Sequence, residues 1–482
     1  MTNIRRPFRS VRRWTLISGC LLAVLSLGLV ETWLVQGLLV RCRVVGGSMS
    51  PTLVGVHRDV TCGDCGFSFP CEAENAVRAT CPNCGWAANR LTDLPDLDGD
   101  RVLVDRTAFW RRPPRRWDVV AMREPLQRGR QAVKRIVGLP GETIDIRHGD
   151  IFVDGRIVRK NLAEQRVLAL LVHDADFPSR RADIPPRWRS ESSDTRWKCD
   201  GGRFFFSGET GHPPKKIERT GRAGEPVDWL DYHHVQRLAG DAVRRSAVMD
   251  LGAYHPARPR REEDVHATSD LMLSLRVGPV TGRGAFWIRA TDGRDDFRVR
   301  LGYEPEGLRH WQVFSHSSDM QKTGDKADSI GDLSYGKEEH RIEVSMIDRQ
   351  FLLAIDGRTV AVRCDLHDRP PERRTSGPFG VAAEGIDVTV REVRVYRDVF
   401  YTAMGRGATR LPADHFYVLG DNSPESVDSR VWGENGAVDA KFLTGKILVA
   451  IPNVAVGPIA GRYFQVPNLF GMRYIQQKEA RE

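Results

Sequence analysis

The sequence of 482 residues lacks any long stretch that is poor in apolar residues, and it has no second run of 18 apolar residues after the one near its N-terminus. The first absence excludes an extended disordered region, and the second excludes several membrane-spanning helices. Charge of one sign does not dominate either, because 72 Lys and Arg residues against 63 Asp and Glu residues leave a formal net charge of +9. With 41% apolar and 28% charged residues, the composition is that of a globular chain of about three domains.

The apolar run near the N-terminus is long enough to be a membrane anchor. Between Trp14 and Val40 the strongly polar side chains are those of Glu31 and Gln36, and a helix of this length crosses a hydrocarbon core of about 30 Å. A cleaved signal peptide is the alternative, but no Ala-x-Ala pattern ends the segment. Because several arginines precede the run, we expect a single span with the N-terminus inside and the rest of the chain outside the cytoplasm. These arginines are Arg5, Arg6, Arg9, Arg12 and Arg13.

Four of the nine cysteines form two C-x2-C pairs that are separated by fifteen residues. Such pairs form tight turns that point two thiolates at one ion, and two of these turns complete a tetrahedral zinc site. Two disulfide bonds are the alternative, since this segment would lie outside the cytoplasm. We favour zinc, because a disulfide within a C-x2-C pair closes a strained loop. A site closed by four thiolates is structural, since it leaves no open position for catalysis. The four residues are Cys62, Cys65, Cys81 and Cys84.

A serine lies on a stiff turn shortly after the apolar run. Residues 46–53 read GGSMSPTL, in which two glycines allow a tight bend before Ser48 and Pro51 fixes the chain after it. A hydroxyl held in this way suits a nucleophile. The same stretch is also compatible with an ordinary turn.

Two later stretches carry residues that can support such a nucleophile. Lys134 lies in a predicted strand over Val133–Val137, and burial among these apolar neighbours would lower the pKa of its ammonium group far enough to make it a base. Residues 413–433 pass from an apolar strand into a loop rich in hydroxyl and carboxylate groups, as a polar network at an active site requires. An outward-facing lysine and a solvated loop are the alternatives.

These stretches occur in the same order as in the bacterial type I signal peptidases, which the chain resembles. The resemblance rests on an apolar anchor followed by SMSPTL, GDRVLVDR, VKRIVGLPGE and GDNSPESVDSR. It covers residues 40–130 without the cysteine-containing part, and also 131–160 and 401–455. Agreement of five ordered pieces is far more specific than any one of them.

The resemblance implies a membrane-bound Ser/Lys endopeptidase that cleaves N-terminal signal peptides from exported preproteins at the bacterial cytoplasmic membrane. It implies that Ser48 is the nucleophile, that Lys134 is the general base and that Ser426 orients the lysine amine, with no catalytic cofactor. The backbone N–H of Ser48 is the expected oxyanion donor. Asp428 and Arg430 are expected to form an ion pair that holds their loop against the sheet.

One position departs from part of the family. Some members have a serine two residues before the nucleophile as a second oxyanion donor, whereas this chain has Gly46. The implied partners are signal-peptide-bearing preproteins and membrane lipid. We expect no nucleic-acid partner. The arginine cluster at 111–116 suits contact with anionic lipid headgroups, and an ordinary solvated charge run is the alternative.

A large insertion interrupts the resembling segments. From about residue 265 its short alternating stretches and DG turns predict a β-sandwich. The pattern resembles concanavalin-like or laminin-G-like jelly rolls, and it is this resemblance that implies a carbohydrate or protein ligand. The predicted fold class is therefore mainly β: a signal-peptidase-type sheet with one N-terminal transmembrane helix, a zinc-ribbon insert and an inserted sandwich. The predicted segments are 1–13 (basic, cytoplasmic), 14–40 (anchor), 41–60 (core with the nucleophile), 61–90 (zinc ribbon), 91–160 (core with the base), 161–400 (insertion) and 401–482 (core and C-terminal tail).

Two functions of other kinds remain open at this stage. A catalytically silent, membrane-anchored protein could keep the peptidase scaffold and bind a sugar or a protein through the sandwich. A cytoplasmic autoprotease of the repressor type could use the same Ser/Lys pair, but the sequence has an apolar span and no evident DNA-binding helix pair.

Overall fold

The computed structural model describes most of the chain, in segments separated by gaps. The described residues are 8–32, 37–74, 76–127, 129–208, 228–237, 242–251, 254, 265–317, 329–332, 338–364, 366, 374–433, 435–459 and 462–475.

The N-terminal segment is a helix that extends over Phe8–Val30. The anchor predicted over 14–40 is corrected at its C-terminal end, because Leu39–Arg43 is a β-strand that pairs with Arg101–Asp105. A segment whose last residues hydrogen-bond into a sheet is not a continuous helix. Among the described residues, no helix has both the length and the apolar character that crossing a membrane requires.

The first large sheet, called the core sheet, has eight strands drawn from both ends of the chain. Its strands pair antiparallel, so that Leu443–Ile451 from the C-terminal part lies between Arg101–Asp105 and Val119–Arg123. The C-terminal segment therefore completes the sheet that the N-terminal segment begins. The strands, in spatial order, are Leu39–Arg43, Arg101–Asp105, Leu443–Ile451, Val119–Arg123, Gln131–Gly138, His415–Leu419 and Val438–Asp439, with Arg473–Tyr474 beside Leu443–Ile451.

Apolar side chains cover both faces of the core sheet. One buried cluster includes Met49, Leu53 and Val104, and another includes Ile136 and Val418. A smaller four-stranded sheet packs beside it. The strands of this second sheet, in order, are Arg156–Ile157, Asp150–Val153, Thr143–Arg147 and Thr409–Arg410.

The cysteine-containing segment forms two short hairpins, which we call the ribbon (residues 57–94). His57–Thr61 pairs with Ser68–Glu72, and Arg78–Ala79 pairs with Asn89–Arg90. Each C-x2-C turn lies in the loop between the two strands of its hairpin, and the structure brings the two turns together.

The insertion builds a sheet of thirteen strands, called the insert sheet, around the long strands Leu271–Thr291 and Phe379–Arg397. The register between these two strands shifts at three places, including Val277/Val280, where a β-bulge or irregularity interrupts the pairing. The other strands are Leu170–Asp174, Trp188–Arg189, Trp197–Asp200, Arg203–Phe206, Trp229–Tyr232, Asp295–Glu304, Gly307–Ser317, Ser329–Asp332, His340–Ile347, Gln350–Ile355 and Arg358–Arg363.

The insert sheet folds onto itself as a sandwich. The ring of Phe297 stacks on the ring of Phe351 with centroids 4.3 Å apart, although their strands are not neighbours in the sheet. The predicted start of the sandwich near residue 265 is too late, because Leu170–Asp174 already pairs with Phe379–Arg397. That pairing also brings the two ends of the insertion together.

The remaining elements are short. The two-stranded sheets are Val235–Arg237 with Val243–Arg245, Val248–Met249 with Ala267–Thr268, and Asn453–Ile459 with Arg462–Pro467. The short helices are Ala108–Arg111, Leu162–Leu168, Ser423–Glu425, Ala440–Phe442 and Leu469–Gly471.

Candidate active site

Lys134 is buried inside the core sheet. It lies on the strand Gln131–Gly138, where it pairs with Val120, and only 3% of the residue is exposed. Its ammonium nitrogen Nζ donates a hydrogen bond of 2.9 Å to Oγ of Ser426 and lies 6.0 Å from the centre of the Trp432 ring. The outward-facing alternative for this lysine is therefore wrong.

The surroundings of Lys134 favour the uncharged form of its amine. Burial lowers the pKa of Lys134 to about 8, although the nearby carboxylate of Asp428 opposes this shift, and the positive charge of Arg430 lowers the pKa further. Near neutral pH an appreciable fraction of the amine is then uncharged. An uncharged buried amine within hydrogen-bond reach of hydroxyl groups can accept a proton.

The loop that carries Ser426 is held by a buried ion pair. Arg430 donates to Asp428 through Nε at 2.9 Å and through Nη2 at 2.8 Å, and both side chains are fully buried. Arg430 also donates to the hydroxyl and the carbonyl oxygen of Ser423, and Asp428 accepts from the backbone N–H of Gly420. The predicted Asp428–Arg430 ion pair is confirmed, and it is buried.

Ser48 lies on a half-buried turn beside this loop. Its carbonyl oxygen accepts a hydrogen bond of 3.0 Å from the backbone N–H of Asn422, whose side chain donates to the carbonyl oxygen of Gly47. Asn422 thus joins the turn to the loop. A β-carbon added to Gly46 would meet no described atom within 4 Å, so the missing serine side chain leaves open space.

Gly420 separates the turn from Ser426. A β-carbon on this glycine would lie 2.2 Å from Oγ of Ser426 and 2.4 Å from the carbonyl oxygen of Ser48. Both groups therefore approach the same point in space. The structure brings the backbone of Ser48, the hydroxyl of Ser426 and the amine of Lys134 into one region.

A second buried ion pair was not anticipated from the sequence. Arg135 is completely buried and donates to both carboxylate oxygens of Asp421, at 2.7 and 2.6 Å, and to the carbonyl oxygen of Trp117. It anchors the start of the polar loop to the strand that carries Lys134. The sequence feature that could have indicated this pair is the position of Arg135 within an apolar strand, directly after Lys134.

The four predicted metal ligands form one buried group. Their sulfur atoms all lie within 4.8 Å of one another, with Cys62 and Cys84 at 3.6 Å and Cys65 and Cys81 at 3.7 Å. Ligands at about 2.3 Å from a tetrahedral zinc ion have similar mutual separations. The donor set and its geometry therefore fit a structural metal ion.

Residues 93–204 and 350–451 match the family described as "Signal peptidase, peptidase S26". The matched residues include Lys134 and Ser426 but not Ser48. Signal peptidase I of Leptolyngbya laminosa is 32% identical over 76 residues, which are 14% of this chain and 37% of that protein. Signal peptidase I U of Bacillus subtilis is 30% identical over 63 residues, 13% of this chain and 33% of that protein. The chain spans about a third of the length of the curated relatives that it matches.

Solved structures match this chain only weakly. The match to the laminarinase of Flavobacterium sp. UMI-01 covers 47% of this chain and 100% of the laminarinase chain, with 11% identity and a TM-score of 0.26. The match to the carbohydrate recognition domain of Emp46p covers 44% of this chain and 89% of that domain's chain, with 12% identity and a TM-score of 0.23. These scores are too low to support a functional comparison.

Proposed function

We propose that this chain, whose residues 93–204 and 350–451 match the family of signal peptidases S26, is a serine endopeptidase that removes signal peptides from exported proteins. The observation that carries the proposal is the buried amine of Lys134, which donates a 2.9 Å hydrogen bond to Ser426. A buried lysine with a lowered pKa is costly for stability, and such groups are concentrated at sites of proton transfer.

In the proposed mechanism Ser48 attacks the scissile carbonyl carbon while the uncharged amine of Lys134 accepts its hydroxyl proton. The lysine then returns this proton to the leaving amine as the peptide C–N bond breaks, and an ester remains on Ser48. Water hydrolyses the ester with Lys134 again as the base. Ser426 orients the lysine amine, and the backbone N–H of Ser48 stabilises the negative oxygen of the tetrahedral intermediate.

The zinc assignment is part of the same proposal. Cys62, Cys65, Cys81 and Cys84 would hold one structural zinc ion that fixes the two hairpins of the ribbon. The ion would take no part in peptide cleavage, because four thiolates fill its coordination positions. Contact with membrane lipid, and binding of a carbohydrate or protein by the insert, stay predictions from the sequence.

The test is cleavage of a model preprotein with an Ala-x-Ala site by the purified full-length chain in detergent. We expect cleavage by the wild type and a loss of at least about 10³-fold in Ser48→Ala and in Lys134→Ala. Ser207→Ala and Lys198→Ala are the matched controls, because both residues are exposed and lie on the insert; they should retain full activity. A folded wild type that cuts nothing would overturn the proposal and favour the silent binding protein.

A further inference from the structure

A cavity of about 500 Å³ lies where the core, the ribbon and the insert meet. The core contributes Ser50 and Pro51 and the loop Asp421–Glu425, the ribbon contributes Phe67–Pro70, and the insert contributes Val248–Leu251. The volume is in the usual range of about 300 to 1,000 Å³ for ligand sites in proteins. No single part of the chain forms this cavity.

The cavity adjoins the turn that carries Ser48. Two residues of its wall, Ser50 and Pro51, follow Ser48 almost directly in the chain, and a third, Asn422, binds the carbonyl oxygens of Gly47 and Ser48. The cavity is also accessible from solvent, because Leu251 on its wall is 48% exposed. The cavity therefore lies beside the turn that carries Ser48, although Ser48, Lys134 and Ser426 do not line it.

The walls offer apolar contacts more than fixed charge. Aromatic and aliphatic side chains, such as Phe67, Leu170 and Phe400, provide much of the lining. Several charged wall residues are already engaged: Arg237 pairs with Asp64 of the ribbon, and Asp421 pairs with Arg135. The cavity therefore favours a ligand with apolar side chains, because their burial is favourable. Polar or charged side chains of a ligand would lose their hydration there without gaining partners.

We propose that this cavity binds apolar side chains of the substrate polypeptide next to the scissile bond, and that the ribbon and the insert thereby select among exported proteins. This inference rests on the proposed function. It gives both inserted parts a direct role in substrate choice, because their residues form two of the three walls. It also accounts for the position of the ribbon against the insert, where Asn83 binds the carbonyl oxygen of Phe177 and the backbone N–H of Asp174.

The test uses a short peptide that contains only the residues around the cleaved bond. It compares this peptide with two kinds of longer peptide, extended on either side by Leu and Phe or by Ser and Asp. In the wild type we expect an extension by apolar residues on one side to lower KM by about tenfold, and the polar extension to have no such effect. In Leu251→Glu this gain should disappear while the short peptide is cut at the wild-type rate. Val362→Glu is the matched control, since Val362 is a 45% exposed apolar residue of the insert that does not line the cavity.

The outcomes separate this inference from the proposed function. If the wild type cuts all peptides equally well, or if Leu251→Glu affects the short peptide as strongly as the extended one, the cavity inference is wrong and the peptidase proposal stands. Binding of a fluorescent extended peptide to Ser48→Ala measures the cavity without cleavage, and Leu251→Glu should weaken that binding about tenfold. If the wild type cuts nothing and this binding is still lost on Leu251→Glu, the peptidase proposal fails and the apolar peptide site stands.

Discussion

Nζ of Lys134 donates a hydrogen bond of 2.9 Å to Oγ of Ser426 across 292 positions of sequence. The lysine comes from a strand in the first third of the chain and the serine from a loop near its end, with the whole insertion between them. The contact forms because both strands that flank the insertion, Gln131–Gly138 and His415–Leu419, pair in the core sheet. The insertion therefore extends the chain without separating the two halves of the candidate site.

The rate of cleavage should depend on the ionisation of Lys134. Because the pKa of Lys134 is lowered to about 8, the ammonium form dominates below that pH and the active, uncharged amine increases as pH rises. We expect kcat/KM to rise about tenfold from pH 6 to 7 and to level off above about pH 9. Steady-state kinetics from pH 6 to 10 would measure this. A flat profile would exclude Lys134 as the base, and a profile still rising at pH 10 would contradict its lowered pKa.

Gly420→Ala should impair the site through crowding. The new methyl group would lie 2.2 Å from Oγ of Ser426 and 2.4 Å from the carbonyl oxygen of Ser48, so both must move. Overpacking of this kind costs about 1 to 3 kcal/mol of stability, and we expect cleavage to fall by at least about tenfold. Gly407→Ala is the control, because a β-carbon there meets no described atom within 4 Å. Equal activity of the two variants would contradict the close approach at Gly420.

Removal of the Asp428 charge should destabilise the fold. In Asp428→Asn the guanidinium of Arg430 remains buried without its carboxylate, which typically costs about 3 to 5 kcal/mol. Urea denaturation followed by tryptophan fluorescence would measure the free energy of unfolding. Asp183→Asn removes the carboxylate of a surface pair with Arg181 and should leave the unfolding midpoint unchanged. A midpoint in Asp428→Asn that equals that of the wild type would be inconsistent with a buried pair.

The ribbon should contain one zinc ion that depends on its four cysteines. Metal analysis of the purified chain should give one zinc per molecule, and Cys62→Ser should lose it and lower the melting temperature. Cys71→Ser is the control: Cys71 is buried in the same ribbon but lies outside the four-sulfur group, and burial raises the pKa of its thiol to about 12. It should keep the metal. A folded chain without metal, in which the thiols of these four cysteines are not free, would establish the disulfide alternative.

Local patterns in the sequence were sufficient to predict part of the candidate site. The ordered motifs around Ser48, Lys134 and Ser426 and the spacing of the C-x2-C pairs are short-range features, because turns, strands and metal knuckles depend on neighbouring residues. The Asp428–Arg430 pair was expected from the resemblance to the type I signal peptidases, and the structure contains it. The alternating apolar residues after position 265 predicted strands, but they did not reveal that the insert sheet begins with Leu170–Asp174.

The sequence by itself determined which chemical groups are available and roughly where strands and turns lie. Only the tertiary structure decided that Lys134 is buried rather than exposed, that Arg135 pairs with Asp421, and that three parts of the chain enclose one cavity. The physical reason is that burial, ion pairing across 286 positions and cavity formation depend on which strands become neighbours in a sheet. That choice is made by long-range packing, which no local pattern of residues encodes.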